Sequence, residues 1–441
     1  MPRRCPATSN HGRGRSVLQE TIDEERLVRR LTWRLMPLLT TLFLVAFIDR
    51  QNVGFAKLQM VGALGISEAE YGLASSLFFI SYLFFEIPST LALHRFGARN
   101  WLARIMLTWG VVTVLIAFVW SGTGFTVLRL LLGVAEAGLY PGILYTLTLW
   151  FPQRHRTRVL GVFTLGSALG NMMGALIGGP LLDLDGLFGL AGWQWVFIVT
   201  GVPPILLTPI VLLYLPKGPE DAAFLSPGEK TWLTGQLAAE KGAGVTEGNP
   251  FAALWDWRVL GFALVYMLMS TSLYGVTYWL PTVVKGFGVT ATVNGLLNAI
   301  PWALAGFMLT WLPGRLRRDG VVLRAVAMIA GIGICCFVAS TLLPGNTLRF
   351  VALALGAPCL SLLYPCFWSI PPRFFTGARA AASIAAINSI GNLGGFWGQN
   401  LMPWVGKEAG STIAPMLVPA LCLTLLGLAA LAARGRLARP S

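Results

Sequence analysis

Twelve continuous apolar runs, each about 20 residues long, dominate this sequence and limit what it can fold into. They lie near residues 35–57, 71–93, 101–120, 126–150, 158–182 and 194–215. After a polar gap they resume near 258–281, 292–313, 322–343, 347–370, 378–403 and 411–433. About 20 apolar residues make a helix long enough to cross roughly 30 Å of hydrocarbon. Outer-membrane strands would alternate with period two; these runs do not, and inside lipid only helices satisfy the backbone otherwise. Only 12% of the residues are charged and 55% are hydrophobic, against about 25% charged in soluble domains. Too few charges remain to cover a soluble surface. A disordered chain, a secreted disulfide mini-protein and a soluble enzyme are excluded.

The expected fold is therefore an all-α membrane protein with twelve transmembrane helices in two six-helix bundles. Its predicted parts are a tail (1–34), an N-terminal bundle (35–215), a connecting loop (216–257), a C-terminal bundle (258–433) and a second tail (434–441). The first tail is basic, with Arg3, Arg4, Arg13 and Arg15, and has no apolar core of the kind a secretory signal needs. A short amphipathic helix is expected over Leu18–Arg30. The loop, rich in charge and in Gly/Pro breakers, is expected to hold one short helix and no separate domain. Five of the six cysteines lie in apolar runs and read as packing residues, with no disulfide framework.

The net charge of +14 follows topology. With the amino terminus inside, 27 of the 33 basic residues fall in cytoplasmic segments. Four, Lys57, Lys285, Arg349 and Lys407, fall in the opposite loops, and Arg50 and Arg129 lie within spans. That bias fits cytoplasmic termini, so no nucleic-acid partner is implied. The halves also repeat faintly: Gly65-Ile66-Ser67 with Gly72-Leu73 corresponds to Gly288-Val289-Thr290 with Gly295-Leu296. Parallel six-helix repeats around a central site occur in transporters.

Three acidic residues fall within spans: Asp49, Glu86 and Glu136. With Arg50 and Arg129 they are costly in lipid and point to an interior pathway. Arg129 and Glu136, seven residues apart, share a helix face, whereas Asp49 and Arg50 diverge by about 100°. A structural alternative is that these four pair to hold the first and fourth helices together, or that Arg129 snorkels to the interface. Functionally, a guanidinium suits carboxylate binding, and Arg50, nearer the bilayer middle, is the better candidate. Burial favours the neutral carboxyl, which suits Asp49 and Glu136 to carrying protons. Glu86, towards the inner end of the second helix and before Pro88, reads as a gate or structural partner more than as a proton carrier. Tyr82, Tyr274, Tyr278, Tyr364, Trp368, Ser369, Asn388, Ser389 and Asn392 are candidates to face the cavity, with close helix packing as the alternative. No phosphate-binding loop of the ATPase type, metal-ligand spacing or nucleophile–base pair stands out. No cofactor or metal is expected, and a gradient would supply the driving force.

Several motifs resemble the anion:cation symporter family of the major facilitator superfamily. They are Phe47-Ile48-Asp49-Arg50-Gln51-Asn52-Val53-Gly54, Tyr71-Gly72-Leu73, Phe85-Glu86-Ile87-Pro88-Ser89, Leu128-Arg129 and Gly133-Val134-Ala135-Glu136-Ala137-Gly138. Pro141-Gly142, Trp150-Phe151-Pro152, Gly192-Trp193-Gln194-Trp195 and Asn388-Ser389-Ile390-Gly391-Asn392-Leu393-Gly394-Gly395 extend the likeness over nearly the whole chain after residue 30. The family includes permeases for tartrate, phthalate, hydroxyphenylacetate, galactonate and glucarate. The resemblance implies proton symport of an organic carboxylate, with Asp49 and Glu136 for protons, Arg50 on the substrate carboxylate, and Arg129 pairing with or regulating Glu136. It also implies a gating loop after the second helix, where Arg95 and Arg99 fit the pattern but His94 and Asn100 depart from it. The turn after the eighth helix, Pro313 to Asp319, is irregular too.

The expected protein is a monomeric, multi-pass importer in a bacterial inner (plasma) membrane, with both termini cytoplasmic, a small organic anion and protons as partners, and no enzymatic activity. The alternatives are proton-driven export of drugs or metabolites and, from another class, a membrane enzyme or sensor.

Overall fold

The computed structural model describes residues 23–242, 256–311, 319–371, 374–375 and 378–437. The expected arginine-rich turn after the eighth span, most of the first tail and the last four residues lie outside them.

Among the described residues there are fifteen α-helices and no strands. The N-terminal bundle comprises α1 (Glu24–Leu64), α2 (Glu68–Phe96), α3 (Ala98–Ile116), α4 (Gly122–Glu136), α5 (Leu139–Trp150), α6 (Gln153–Leu182) and α7 (Gly192–Tyr214). A connecting helix, α8 (Pro227–Gly242), follows. The C-terminal bundle comprises α9 (Trp257–Lys285), α10 (Ala291–Trp311), α11 (Asp319–Leu342), α12 (Asn346–Trp368), α13 (Ala378–Asn392), α14 (Gly394–Glu408) and α15 (Leu417–Leu437). Among the described residues, ten spans are long and apolar enough to cross a bilayer, α4 and α5 counting as one. The two remaining expected passages are α3, which carries Arg99 and Arg104, and the pair α13–α14, which is broken at Leu393. The chain is a multi-pass membrane protein.

The α1 helix is longer than its apolar run. Asp23 caps it by accepting from the Arg26 amide at 3.0 Å, and it ends at Gly65 with φ 62°. At 1.5 Å per residue, its 41 residues exceed the hydrocarbon thickness. The expected amphipathic segment is thus, from Glu24 onward, the first turns of this same helix. Glu24 takes an ion pair from Arg154 and a contact from His155 at 2.7 Å, while Arg30 pairs with Glu229 of α8 at 3.1 Å. Arg156 reaches Glu240 of α8 at 2.8 Å. The connecting helix is therefore fastened to the N-terminal bundle. The end of the molecule that holds these groups is called the basic face below.

The other end of α1 corrects the sequence reading. Lys57, expected in a loop, lies inside the helix with its side chain fully buried. It pairs with Glu68 at 2.7 Å and lies 3.5 Å from the centre of the Trp279 ring. The apolar run stops near Lys57, but the helix continues because α9 of the other bundle covers that residue.

The fourth span is also two helices. Glu136 ends α4, and Gly138 takes φ 89° to start α5. A side chain at Gly138 would run into Ser89, whose hydroxyl donates to the freed Ala137 carbonyl at 2.6 Å. Arg104 donates to the Ala135 carbonyl at 3.4 Å. The break leaves Glu136 at a helix end, within reach of α1.

Within each half, α1 packs on α6 and α7 and α3 on α7, while α9 packs on α13, α14 and α15. Between halves, α6 meets α10, α2 meets α14 and α1 meets α9. These inter-bundle contacts gather away from the basic face. Gly179 and Gly295 let α6 and α10 touch backbone to backbone, and Asp183 accepts from the Thr292 amide and hydroxyl at 2.9 and 2.6 Å. Lys285 donates to the Leu58 carbonyl at 2.7 Å, and Asn400 to the Ser76 hydroxyl at 2.8 Å.

Candidate functional site

Between the bundles, α1, α2 and α4 from one half and α9 and α14 from the other enclose a small cavity. Asp49, Arg50, Arg129 and Glu136 all line it. The four charged residues found on separate stretches of sequence are brought together.

Their pairing differs from the spacing argument. Glu136, only 1% exposed, accepts from the Arg50 guanidinium at 2.8 Å. A second arm of Arg50 donates to the Tyr274 hydroxyl of α9 at 2.8 Å. Arg129 instead donates through two nitrogens to the Ser75 carbonyl at 3.0 and 3.3 Å. Seven residues along a helix separate two Cα atoms by about 10.5 Å, so a shared face did not guarantee a shared bond. Arg129 is 4% exposed and its guanidinium lies 5.0 Å from the Phe78 ring centre, so it does not snorkel. Both arginines gain from facing rings, Arg50 lying 5.1 Å from Phe47.

Asp49 is 2% exposed and makes neutral contacts: it accepts from the Asn52 amide at 2.8 Å and the Thr113 hydroxyl at 3.2 Å. One carboxylate thus sits on a guanidinium, and the other is held by an amide and an alcohol. Isolated ions in such a setting are costly.

Sequence reasoning missed several lining groups: Phe78, Phe79, Thr277 and Gln399. Phe79 reaches across the bundles to within 4.9 Å of Tyr274, ring centre to ring centre. Four buried polar atoms of lining residues lack a hydrogen-bond partner among the described residues: Arg50 Nε, Glu136 Oε2, Tyr278 Oη and Gln399 Oε1. Only about 10 Å³ is open to the centre of a water molecule, enough for about one water. A larger ligand needs the bundles to part.

The other predicted residues lie on the basic side of the cavity. Glu86, eight residues beyond Phe78 and so about 12 Å along α2, accepts from the Ser389 hydroxyl and from the Asn388 amide at 3.4 Å. This is a contact between bundles. Tyr82 is buried nearby, with its ring centre 5.8 Å from Phe78. Trp368 packs edge-on to Tyr266 at 5.1 Å, Tyr364 lies 3.4 Å from the Ser270 hydroxyl, and Asn392 ends α13. None of these residues, Glu86 and Asn388 included, lines the small cavity. Arg95 is exposed and Arg99 half-buried, with local contacts to the Phe96 ring and to Asn100 respectively. A larger cavity of about 870 Å³ opens on the basic face and climbs α1 from Asp23 to Leu44.

No group of three or more His, Cys, Asp or Glu side chains is placed to hold a metal among the described residues.

The sequence pattern of the Major Facilitator Superfamily matches residues 39–399. The chain is 42% identical over 378 residues to a quinolone resistance transporter of Acinetobacter baumannii, covering 85% of this chain and 87% of that one. It is 40% identical over 415 residues to a putative tartrate transporter of Agrobacterium vitis, covering 91% of each. A partially occluded, inward-open structure of the xylose transporter XylE from E. coli superposes with a TM-score of 0.69 at 14% identity, over 90% of this chain and 97% of that one.

Proposed function

The chain belongs to the Major Facilitator Superfamily, and from that premise we propose that it imports a small organic carboxylate together with protons by alternating access. The observation that carries this reading is the Arg50–Glu136 pair, held at 2.8 Å within a cavity between the bundles. A substrate carboxylate and the Glu136 carboxylate compete for one guanidinium. Protonating Glu136 removes its charge and frees Arg50 for bidentate capture of the anion. Losing the proton lets Glu136 reclaim Arg50 and expel the anion. Asp49 holds the second proton, and Arg129 fixes the α2–α4 packing and the positive field between the two acids.

Tyr274 and Tyr82 complete the substrate site near Arg50, with Asn388, Asn392 and Trp368 reached as the cavity enlarges toward the basic face. Glu86 with Asn388 and Ser389 forms the gate on that side, and Arg95 and Arg99 lie at its mouth. The moving bodies are residues 35–215 and 258–433, joined by 216–257. The basic face is cytoplasmic, with both termini, in a bacterial inner membrane, and the monomer is the working unit. The name of the Agrobacterium vitis relative supports a carboxylate cargo.

Export is the second reading, favoured by the quinolone resistance transporter of similar identity. Proteoliposome transport separates the two. Import predicts that an acid exterior drives carboxylate accumulation that a protonophore abolishes, and that Glu136→Gln keeps exchange but not accumulation. Accumulation that is indifferent to the pH gradient, or binding of cationic compounds alone, would overturn the proposal.

A further inference from the structure

We propose that Ser89 of α2 and Trp101 of α3 are positioning residues for the Glu136 carboxylate: they brace the break between α4 and α5 and so set how firmly Glu136 holds Arg50. The inference rests on the competition between Glu136 and substrate for Arg50 proposed above.

The need for a brace begins with Pro141. In a continuous helix the carbonyl of residue 137 would accept from the amide of residue 141. Proline has no N–H, and its ring clashes with the carbonyl four residues before it. The chain therefore leaves the helix after Glu136: Ala137 takes φ −52° and ψ 131°, and Gly138 takes φ 89°. The Ala137 carbonyl still needs a donor, because lipid offers none. The Ser89 hydroxyl, on a residue only 5% exposed, stands in for the missing amide and donates to that oxygen at 2.6 Å. A Cβ at residue 138 would fill the space this hydroxyl occupies.

A hydroxyl has one proton and can turn, so its direction must be set. The Trp101 indole N–H donates to the Ser89 oxygen at 2.9 Å, which commits the Ser89 proton to Ala137. The Trp101 ring centre lies 4.0 Å from the Arg104 guanidinium, which donates to the Ala135 carbonyl at 3.4 Å. A cation also suits the carbonyl end of a helix. The carbonyls on either side of Glu136 are thus held from α2 and α3, by side chains that do not line the cavity. With its two neighbours fixed, Glu136 is presented to Arg50 at 2.8 Å. Without the Ser89 hydroxyl the Ala137 carbonyl is left unpaired, which is costly. The peptide groups around Glu136 then turn toward another donor, its bond to Arg50 loosens, and a substrate carboxylate meets a freer guanidinium.

The test is calorimetric binding to the purified full chain at neutral pH, using whichever of tartrate, succinate, gluconate and benzoate the parent binds most tightly. Ser89→Ala is expected to bind it about 2- to 10-fold more tightly than the parent, a range set by the loss of one neutral hydrogen bond. Trp101→Phe, which keeps an aromatic ring but not the N–H, is expected to shift affinity the same way and serves should Ser89→Ala not fold. Glu136→Gln is expected to bind more tightly as well. Adding Ser89→Ala to it should change affinity by less than about twofold, because the group being positioned no longer carries charge. A merely structural loss would instead weaken binding in both backgrounds. Two results overturn the brace and leave the competition standing. One is affinity no tighter than the parent's in both Ser89→Ala and Trp101→Phe while Glu136→Gln tightens; the other is tightening by Ser89→Ala that persists in full beside Glu136→Gln. A Glu136→Gln that fails to tighten, or a parent that binds none of the four, overturns the competition and the brace together.

Discussion

Adding a single methyl at Gly179 tests whether the contact between α6 and α10 seals one face of the transporter. A Cβ built there would lie 2.5 Å from the Ala291 carbonyl oxygen and 2.6 Å from the Gly295 Cα. Ordinary carbon contacts fall at about 3.5–4.0 Å, so the helices must separate by about 1 Å. All the obstructing atoms are backbone, and no change of rotamer relieves them. Overpacking of this kind costs about 1–3 kcal/mol. The cost falls only on the conformer in which the two helices touch, so the equilibrium shifts about 5- to 150-fold toward the conformer open on that face. Spin labels at Leu184 and Val293, both exposed, in a background with the six cysteines replaced, read the separation by pulsed electron resonance. Gly179→Ala should add or enrich a longer distance. Gly261→Ala, where a Cβ meets nothing within 4 Å, should not. Identical distance distributions in the parent and a folded Gly179→Ala would refute the sealing role.

Three further outcomes follow from buried or paired charges. Arg50→Ala should abolish carboxylate-induced thermal stabilisation. It should also lower the melting temperature, because breaking a buried pair costs about 3–5 kcal/mol; a ligand shift that survives would remove Arg50 as the anchor. Lys57→Met should leave the melting temperature near that of the parent, since methionine fills the buried volume and the Glu68 left behind is exposed to solvent, whereas Glu68→Gln strands the buried lysine and should lower it clearly; the reverse order would contradict that arrangement. For Glu24, burial pushes its carboxyl up, but bonds from His155 and Arg154 outweigh this and hold it below the usual range. A depressed carboxyl stabilises the fold above its unfolded value of about 4.3 and loses that contribution as pH falls through the folded value. The melting difference between the parent and Glu24→Gln should therefore be present at neutral pH and shrink on acidification below about pH 4; a difference that grows on acidification would be inconsistent with the pairing.

How far sequence reached depended on how local each signal was. The long apolar runs and the membrane-embedded charges at Asp49, Arg50, Arg129 and Glu136 are visible in one dimension, because lipid leaves few alternatives for either. The pairing of those charges is not. Arg129 and Glu136 share a face, yet the bond went to Arg50 because the break after Glu136 turns that carboxylate toward α1. Lys57 ends an apolar run as an interfacial lysine would, and only the approach of Trp279 from the other bundle makes it a buried group. Gln399, Thr277, Asn52 and Thr113 gave no sign, since a neutral amide or hydroxyl in an apolar helix looks the same whether it faces a neighbour or a cavity. The polar connecting stretch announced its breakers but not the docking of α8, which depends on Arg30 and Arg156 some 70 to 200 residues away in sequence.

The central claim is that a substrate carboxylate and Glu136 contend for Arg50. It is tested most directly by the affinity of a bound carboxylate measured at neutral pH on the parent and on Glu136→Gln. The competition predicts that Glu136→Gln, permanently uncharged at that position and unable to occupy the Arg50 guanidinium as an anion, binds the carboxylate more tightly than the parent. Equal or weaker binding by a folded Glu136→Gln would contradict it.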